Sequence, residues 1–192
     1  MWDGERRSVS ISTGKERLMS EENRKAIRIS VRNLVEFVLR SGDIDNRRSG
    51  NAQKDAMLAG GRIHRKIQKR MGSGYRAEVP LKHEVQDEEQ EITLLVEGRA
   101  DGIFTENGIP VIDEIKGMYT DISRLEEPIE VHLAQAMCYG YFYCCDKDLD
   151  GIRLQMTYCN LETEEIKRFQ TDRSREELET WFSSVVHEYF KW

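Results

Sequence analysis

Residues 94–116 read LLVEGRADGIFTENGIPVIDEIK, two arms of strand-forming residues on either side of Asn107-Gly108. Asn-Gly between such arms is the strongest short-range signal for a two-residue hairpin loop, because both central residues of the favoured turn need a positive φ. With Asn107 and Gly108 as the loop, Glu106 faces Ile109, and every pair further along the arms sums to the same total. Asp101 is therefore expected opposite Glu114, and Arg99 opposite Lys116, on one face of a sheet. Opposed Cβ atoms lie about 4.5–5.5 Å apart, and like charges so placed weaken a strand pair. A purely structural hairpin gains nothing from two crowded carboxylates, whereas a hard divalent cation is held by them. Asp113 has the other parity and is expected to face away.

Mg²⁺ and Mn²⁺ take oxygen ligands, commonly one or two carboxylates together with waters and substrate phosphate oxygens. Asp101 and Glu114 supply the carboxylates, and the Ile115 carbonyl is close enough in sequence to add a third oxygen. Lys116 lies two residues past Glu114 and so shares its face. An ammonium there can orient or help deprotonate a water and offset charge on a phosphoryl transition state. Charges on a hairpin more often form a solvated face. The flanking segments decide between the two readings.

Upstream, GRIHRKIQKR (residues 61–70) reads as a helix carrying His64; downstream, VHLAQAMCYGYFY (131–143) reads as a helix with Gln135 and Tyr139 one turn apart. Taken together, His64, Asp101, Glu114-x-Lys116 and Gln135-xxx-Tyr139 resemble the motif series of the PD-(D/E)XK nuclease superfamily, in particular its RecB-type exonuclease branch. The resemblance runs from about residue 30 to 170. Within it, ISVRNLVEFVLRSGDID (29–45) is similar to the start of nuclease segments fused to XPD-type helicases. One departure is Ala100, not proline, before Asp101. The resemblance implies that Asp101 and Glu114 bind one or two Mg²⁺ or Mn²⁺ ions and that Lys116 assists the nucleophilic water. It implies His64 as an additional metal ligand, with Gln135 and Tyr139 contacting the DNA backbone or holding the lysine.

At 192 residues, with 39% hydrophobic and 33% charged residues, the chain has the size and composition of one globular domain. It has no apolar run of the roughly 18–20 residues a membrane-spanning helix needs and no secretory-type N-terminus, so a cytoplasmic protein with no membrane partner is expected. The net charge of −6 argues against a nucleic-acid partner on its own. Its distribution argues the other way. Arg62, Arg65, Lys66, Lys69 and Arg70 form a basic helix around His64, with Arg47 and Arg48 upstream, which suits a DNA backbone. Some relatives in the RecB-type branch hold an iron–sulfur cluster with one upstream cysteine and three near the C-terminus. Here Cys138, Cys144, Cys145 and Cys159 all follow the lysine, so no cluster is expected. No G-xxxx-G-K-[ST] phosphate loop occurs, so ATP-driven motion would have to come from a separate helicase.

Along the chain, residues 1–26 are charged and serine-rich, and a loosely ordered leader is expected there, followed by one domain over 27–192. Ser30 caps a short amphipathic helix ending at Gly42, and a long helix runs over 51–71, with Gly60-Gly61 a weak point or a place of close approach. A strand over 75–85 precedes the hairpin. Strands over 152–161 and 165–170 follow the Gln135 helix, and a capping box at Ser174–Glu177 opens a last helix. This order suits an α/β fold with a central mixed sheet flanked by helices, the restriction-endonuclease-like core that the resemblance implies. The expected function is a metal-dependent deoxyribonuclease, an exonuclease on DNA ends or single strands. The alternatives are a nuclease-like docking module that serves a helicase with little cleavage of its own, and a hydrolase of RNA or another phosphodiester.

Overall fold

The protein is described from a computed structural model that covers residues 25–39, 50–87 and 91–191. Alternation in the hairpin arms sets the frame. Strand β3 (Ile92–Glu106) and strand β4 (Ile109–Met118) are joined by Asn107 at φ 52° and Gly108 at φ 82°, the doubly positive turn that these residues favour. Their register runs from Glu106↔Ile109 to Gly102↔Asp113, as the turn dictates.

Around this hairpin the chain builds a six-stranded mixed sheet. Strand β1 (Lys25–Ser30) lies parallel to β3, and β2 (Arg76–Asp87) lies antiparallel to it. On the far side β4 pairs in parallel with β5 (Gly151–Asn160), which pairs antiparallel with β6 (Ile166–Ser174). The expected central mixed sheet flanked by helices is therefore the fold of this chain.

Among the described residues, strand β1 and a short 3-10 helix at Ile122–Arg124, in a stretch expected to be a connecting loop, are elements that the sequence reading does not foresee. Lys25 and Ala26 fall inside β1, so the leader expected over 1–26 stops short of them; residues 1–24, Arg47, Arg48 and the expected helix end at Gly42 lie outside the described residues.

Alternation divides the helices between the two faces. Helix α1 (Val31–Leu39), α3 (Glu130–Lys147) and α4 (Arg175–Phe190) cover one face, with Leu34, Phe142, Leu178 and Phe182 packed against Ile112, Leu154 and Met156 of the sheet. Helix α2 (Gly50–Arg70) covers the other through Ile63 and Ile67, which bury Ile115 and Cys159. The capping residues act as expected: the Asn33 amide donates to Ser30 Oγ, and Ser174 and Glu177 form a reciprocal capping box at α4. Gly60-Gly61 neither breaks α2 nor admits a close neighbour, since a Cβ at Gly60 would meet nothing within 4 Å. Among the described residues no helix is long and apolar enough to cross a membrane.

Candidate metal centre at a fork in the sheet

Strand β3 has two edges, and β2 occupies one of them from Ile92 to Ile103. The other edge is shared. Strand β1 covers it over Ile92–Glu97 and β4 over Gly102–Glu106, so residues 98–100 are laddered on one side only and Asp101 on neither. Beyond Asp113, β4 turns away from β3 and continues beside β5. Where the two strands separate, the sheet has an opening that groups from both faces can reach.

Asp101 stands in that opening. Its Oδ2 accepts the Ile115 amide at 2.7 Å, so a side-chain oxygen replaces the ladder bond that the diverging backbones no longer make. Core-facing positions in β3 run 94, 96, 100 and then 103, so the alternation slips by one residue across Asp101. These facts correct the simple hairpin geometry. Asp101 is not laddered to Glu114, and Arg99 does not face Lys116 but pairs with Pro80 of β2. Continuous pairing would have to run as far as Lys116; the intrusion of β1 and the pull of β5 end it at Gly102.

Glu114 and Lys116 lie on the three-helix face, beneath α3. Lys116 Nζ donates to Glu114 Oε1 at 2.7 Å and to Gln135 Oε1 at 2.8 Å. Glu114 is only 4% exposed, and its other oxygen, Oε2, is buried with no hydrogen-bond partner. An unsatisfied buried carboxylate oxygen costs about 1–3 kcal/mol or more, so groups of this kind call for a ligand. Burial pushes the Glu114 carboxyl up from its ordinary value; Lys116 opposes this, and Asp101 adds to it.

Tyr139, one turn beyond Gln135, reaches the other arm of the fork. Its hydroxyl lies against the backbone of Gly98 and Arg99, and a Cβ at Gly98 would come within 2.5 Å of it. The Gln-xxx-Tyr pair is therefore a clamp, with Gln135 on β4 through Lys116 and Tyr139 on the unpaired stretch of β3.

From the opposite face α2 contributes His64, whose Nδ1 lies 3.3 Å from Asp101 Oδ1. Burial lowers the imidazole pKa, but the hydrogen bond and charge of Asp101 outweigh it and leave the value raised. Next on the helix, Gln68 Nε2 donates at 3.0 Å both to the Asp101 carbonyl and to Glu78 Oε1. Glu78 stands on β2 directly across from Asp101, with φ at 53°, and the ladder on either side skips this pair. His64, Glu78 and Asp101 each place a ligand atom within 4.8 Å of the others. Glu78 and Gln68 were not foreseen, since their role depends on three elements converging and on one backbone angle.

Asp113 faces away, as its parity requires. It is fully buried on the α2 face, where it accepts hydrogen bonds from Tyr75 Oη at 2.9 Å and Thr157 Oγ1 at 2.6 Å. Of the basic residues on α2, Arg62, Arg65, Lys69 and Arg70 are exposed, whereas Lys66 is half-buried and paired with Glu164. A separate groove between β2 and α4 holds His83, but that ring is packed among Tyr141, Phe142 and Phe182 as a core histidine would be.

No family model and no curated protein matches this chain. The chain is similar in fold to the crystal structure of SSO0001, with a TM-score of 0.56 at 17% identity, over 91% of this chain and 80% of the other. At that identity the likeness concerns the fold alone.

Proposed function

We propose that this chain is a divalent-cation-dependent deoxyribonuclease of the PD-(D/E)XK type, acting on DNA ends or single strands in DNA repair or recombination. The observation that supports it most is the pairing of an orphaned, buried Glu114 oxygen with an adjacent, tethered Lys116. An oxygen- and nitrogen-donor set of this kind fits Mg²⁺ or Mn²⁺, with Asp101, Glu114, the Ile115 carbonyl and His64 as the residues that would hold it. When bound, such an ion supplies Lewis acidity at the phosphoryl oxygens and makes water a better nucleophile.

The chain's own residues do the rest. Lys116, fixed by Glu114 and Gln135, presents an ammonium at the floor of the opening, where it can orient water and offset developing charge. Tyr139 packs its hydroxyl against Gly98 on the unpaired stretch of β3, beside the opening. The exposed cations of α2 offer a path for the phosphate backbone toward His64.

The test is cleavage of end-labelled linear single- and double-stranded DNA with Mn²⁺ or Mg²⁺, beside a thermal-shift assay. Wild type should cleave and gain several degrees with Mn²⁺. Lys116→Ala should lose at least about 100-fold in rate yet keep the shift, and Asp101→Ala should lose both. A metal-binding, well-folded wild type that cleaves no DNA would favour the helicase-docking alternative, and cleavage of RNA alone would reassign the substrate.

A further inference from the structure

Helix α2 stops at Arg70 and the chain turns at Gly72 (φ 84°), so the α2 face of the sheet loses its cover toward the hairpin tip. A cavity of about 480 Å³ opens there, lined by Met71, Phe104, Glu106, Gln155, Arg168 and Gln170. The register puts its β5 and β6 residues on the face of Asp113, since Gln155 pairs with both Asp113 and Gln170, and Arg168 with Thr157. Phe104 and Glu106 lie three and five residues beyond Asp101 on β3, about 10 and 17 Å along the strand. None of the six belongs to the metal centre.

Most of the lining is fixed within the fold. Phe104 stacks on Tyr75 at 5.8 Å, and Tyr75 is itself anchored by Asp113. Gln155, only 3% exposed, is held by Gln170 and Thr157. Glu106 is held through Oε2, by Arg153 at 3.1 Å and Gln170 at 3.3 Å, and Arg153 is braced in turn by Asp172. Among the described residues its Oε1 receives no hydrogen bond. Arg168 is exposed and, among the described residues, makes no hydrogen bond or ion pair. A carboxylate oxygen and a guanidinium are thus both open to a ligand.

These groups select a chemistry. An anion drawn to Arg168 would be repelled by Glu106, so a phosphate is a poor occupant. A wholly apolar group would leave both charges unpaired. A flat neutral ring with a carbonyl for the guanidinium and an amine for the carboxylate serves both, and Phe104 and Met71 give its faces apolar contact. Guanine and cytosine carry both groups; thymine lacks the amine and adenine the carbonyl. Arg70, exposed beside Met71, stands where the strand's phosphate can be met.

We propose that this cavity binds one unpaired cytosine or guanine of a DNA strand, with Arg168 on its carbonyl and Glu106 on its amine. The inference rests on the nuclease reading above and adds a sequence preference to it. The 10–17 Å along β3 corresponds to about three to five stacked nucleotides, which sets how far the recognised base lies from the phosphate at the fork.

The test is fluorescence anisotropy of end-labelled oligo-dT in Ca²⁺, with cytosine or adenine replacing one thymine at each position in turn. Cutting the same strands in Mn²⁺ maps the cleaved bond. In wild type a cytosine about three to five nucleotides from that bond should tighten binding at least about fivefold, and an adenine there should not. Arg168→Met, which removes no contact of the fold, should lose the gain and keep most of its affinity for plain oligo-dT. Glu106→Gln should reduce the gain as well, with thermal unfolding as the check on its folding. Binding and cutting with no cytosine effect at any position would overturn the base pocket and leave the nuclease reading standing. A cytosine effect that survives in Arg168→Met would place recognition outside this cavity and overturn the assignment. Folded wild type that neither binds nor cuts any of the strands would overturn both.

Discussion

His132 shows how the site's charge reaches a residue that takes no part in it. It sits on α3 one turn before Gln135, ring to ring with Tyr158 at 5.9 Å, and its Nδ1 is buried without a partner. Burial pushes its pKa down to about 4, and the positive charges of Lys116 and Arg32 act in the same direction. The folded protein therefore keeps His132 neutral where the unfolded chain, near 6.5, already takes a proton. Below pH 6.5 the unfolded state binds more protons, so stability falls as pH drops and the loss is complete below about 4. After allowance for partial exposure, this is about 1–2 kcal/mol between pH 7 and 4.5. Urea unfolding at the two pH values measures it, and His132→Phe should flatten the difference by that amount. An unchanged pH dependence in the variant would mean the imidazole is not held neutral.

At the scale of elements, the contact between α3 and β3 lies beside the fork, where Tyr139 packs on Gly98. Gly98→Ala places a methyl in the Tyr139 ring and should cost about 1–3 kcal/mol. The nearest clash is with the hydroxyl, so Tyr139→Phe in the same chain should recover part of that cost, a coupling visible in a double-mutant cycle by thermal unfolding. Strict additivity would show that Tyr139 does not brace Gly98. Much of this region was legible in sequence. The Asn107-Gly108 turn fixed the hairpin register, parity separated Glu114 from Asp113, and the one-turn spacing of Gln135 and Tyr139 put them on the same side of α3. What stayed hidden depends on neighbours distant in sequence. Six residues, KAIRIS, form β1 only because β3 offers an edge, and that edge ends early because β4 is drawn toward β5. Glu78 looks like any strand carboxylate until its left-handed backbone and Gln68 place it beside Asp101.

For the whole molecule, a net charge of −6 means that the DNA binding proposed above would have to come from a local field. The exposed cations of α2 are the candidates, and each phosphate contact contributes a slope of about −0.7 to −0.9 in log affinity against log salt. Arg65→Ala should reduce that slope by about one contact. Lys66→Ala should change it less, because Lys66 is already engaged by Glu164. Fluorescence anisotropy of a labelled oligonucleotide across a salt series, with Ca²⁺ present to suppress cleavage, distinguishes them. An unaltered slope in Arg65→Ala would take the DNA path off this helix.

The buried Asp113 has a consequence for fidelity of assembly. Asp113 and Glu114 are adjacent and chemically alike, and a one-residue slip of the hairpin would turn each to the opposite face. The opening itself would still receive a carboxylate, so its own chemistry is a poor judge of the error. The far face is a better one: Tyr75 and Thr157 close on the short side chain of Asp113 at 2.9 and 2.6 Å in a fully buried pocket, and the extra methylene of a glutamate would not fit between them. The Tyr75–Asp113–Thr157 lock thus proofreads the reading frame of the hairpin, and the carboxylates at the fork owe their alignment to a gauge on the opposite side of the sheet.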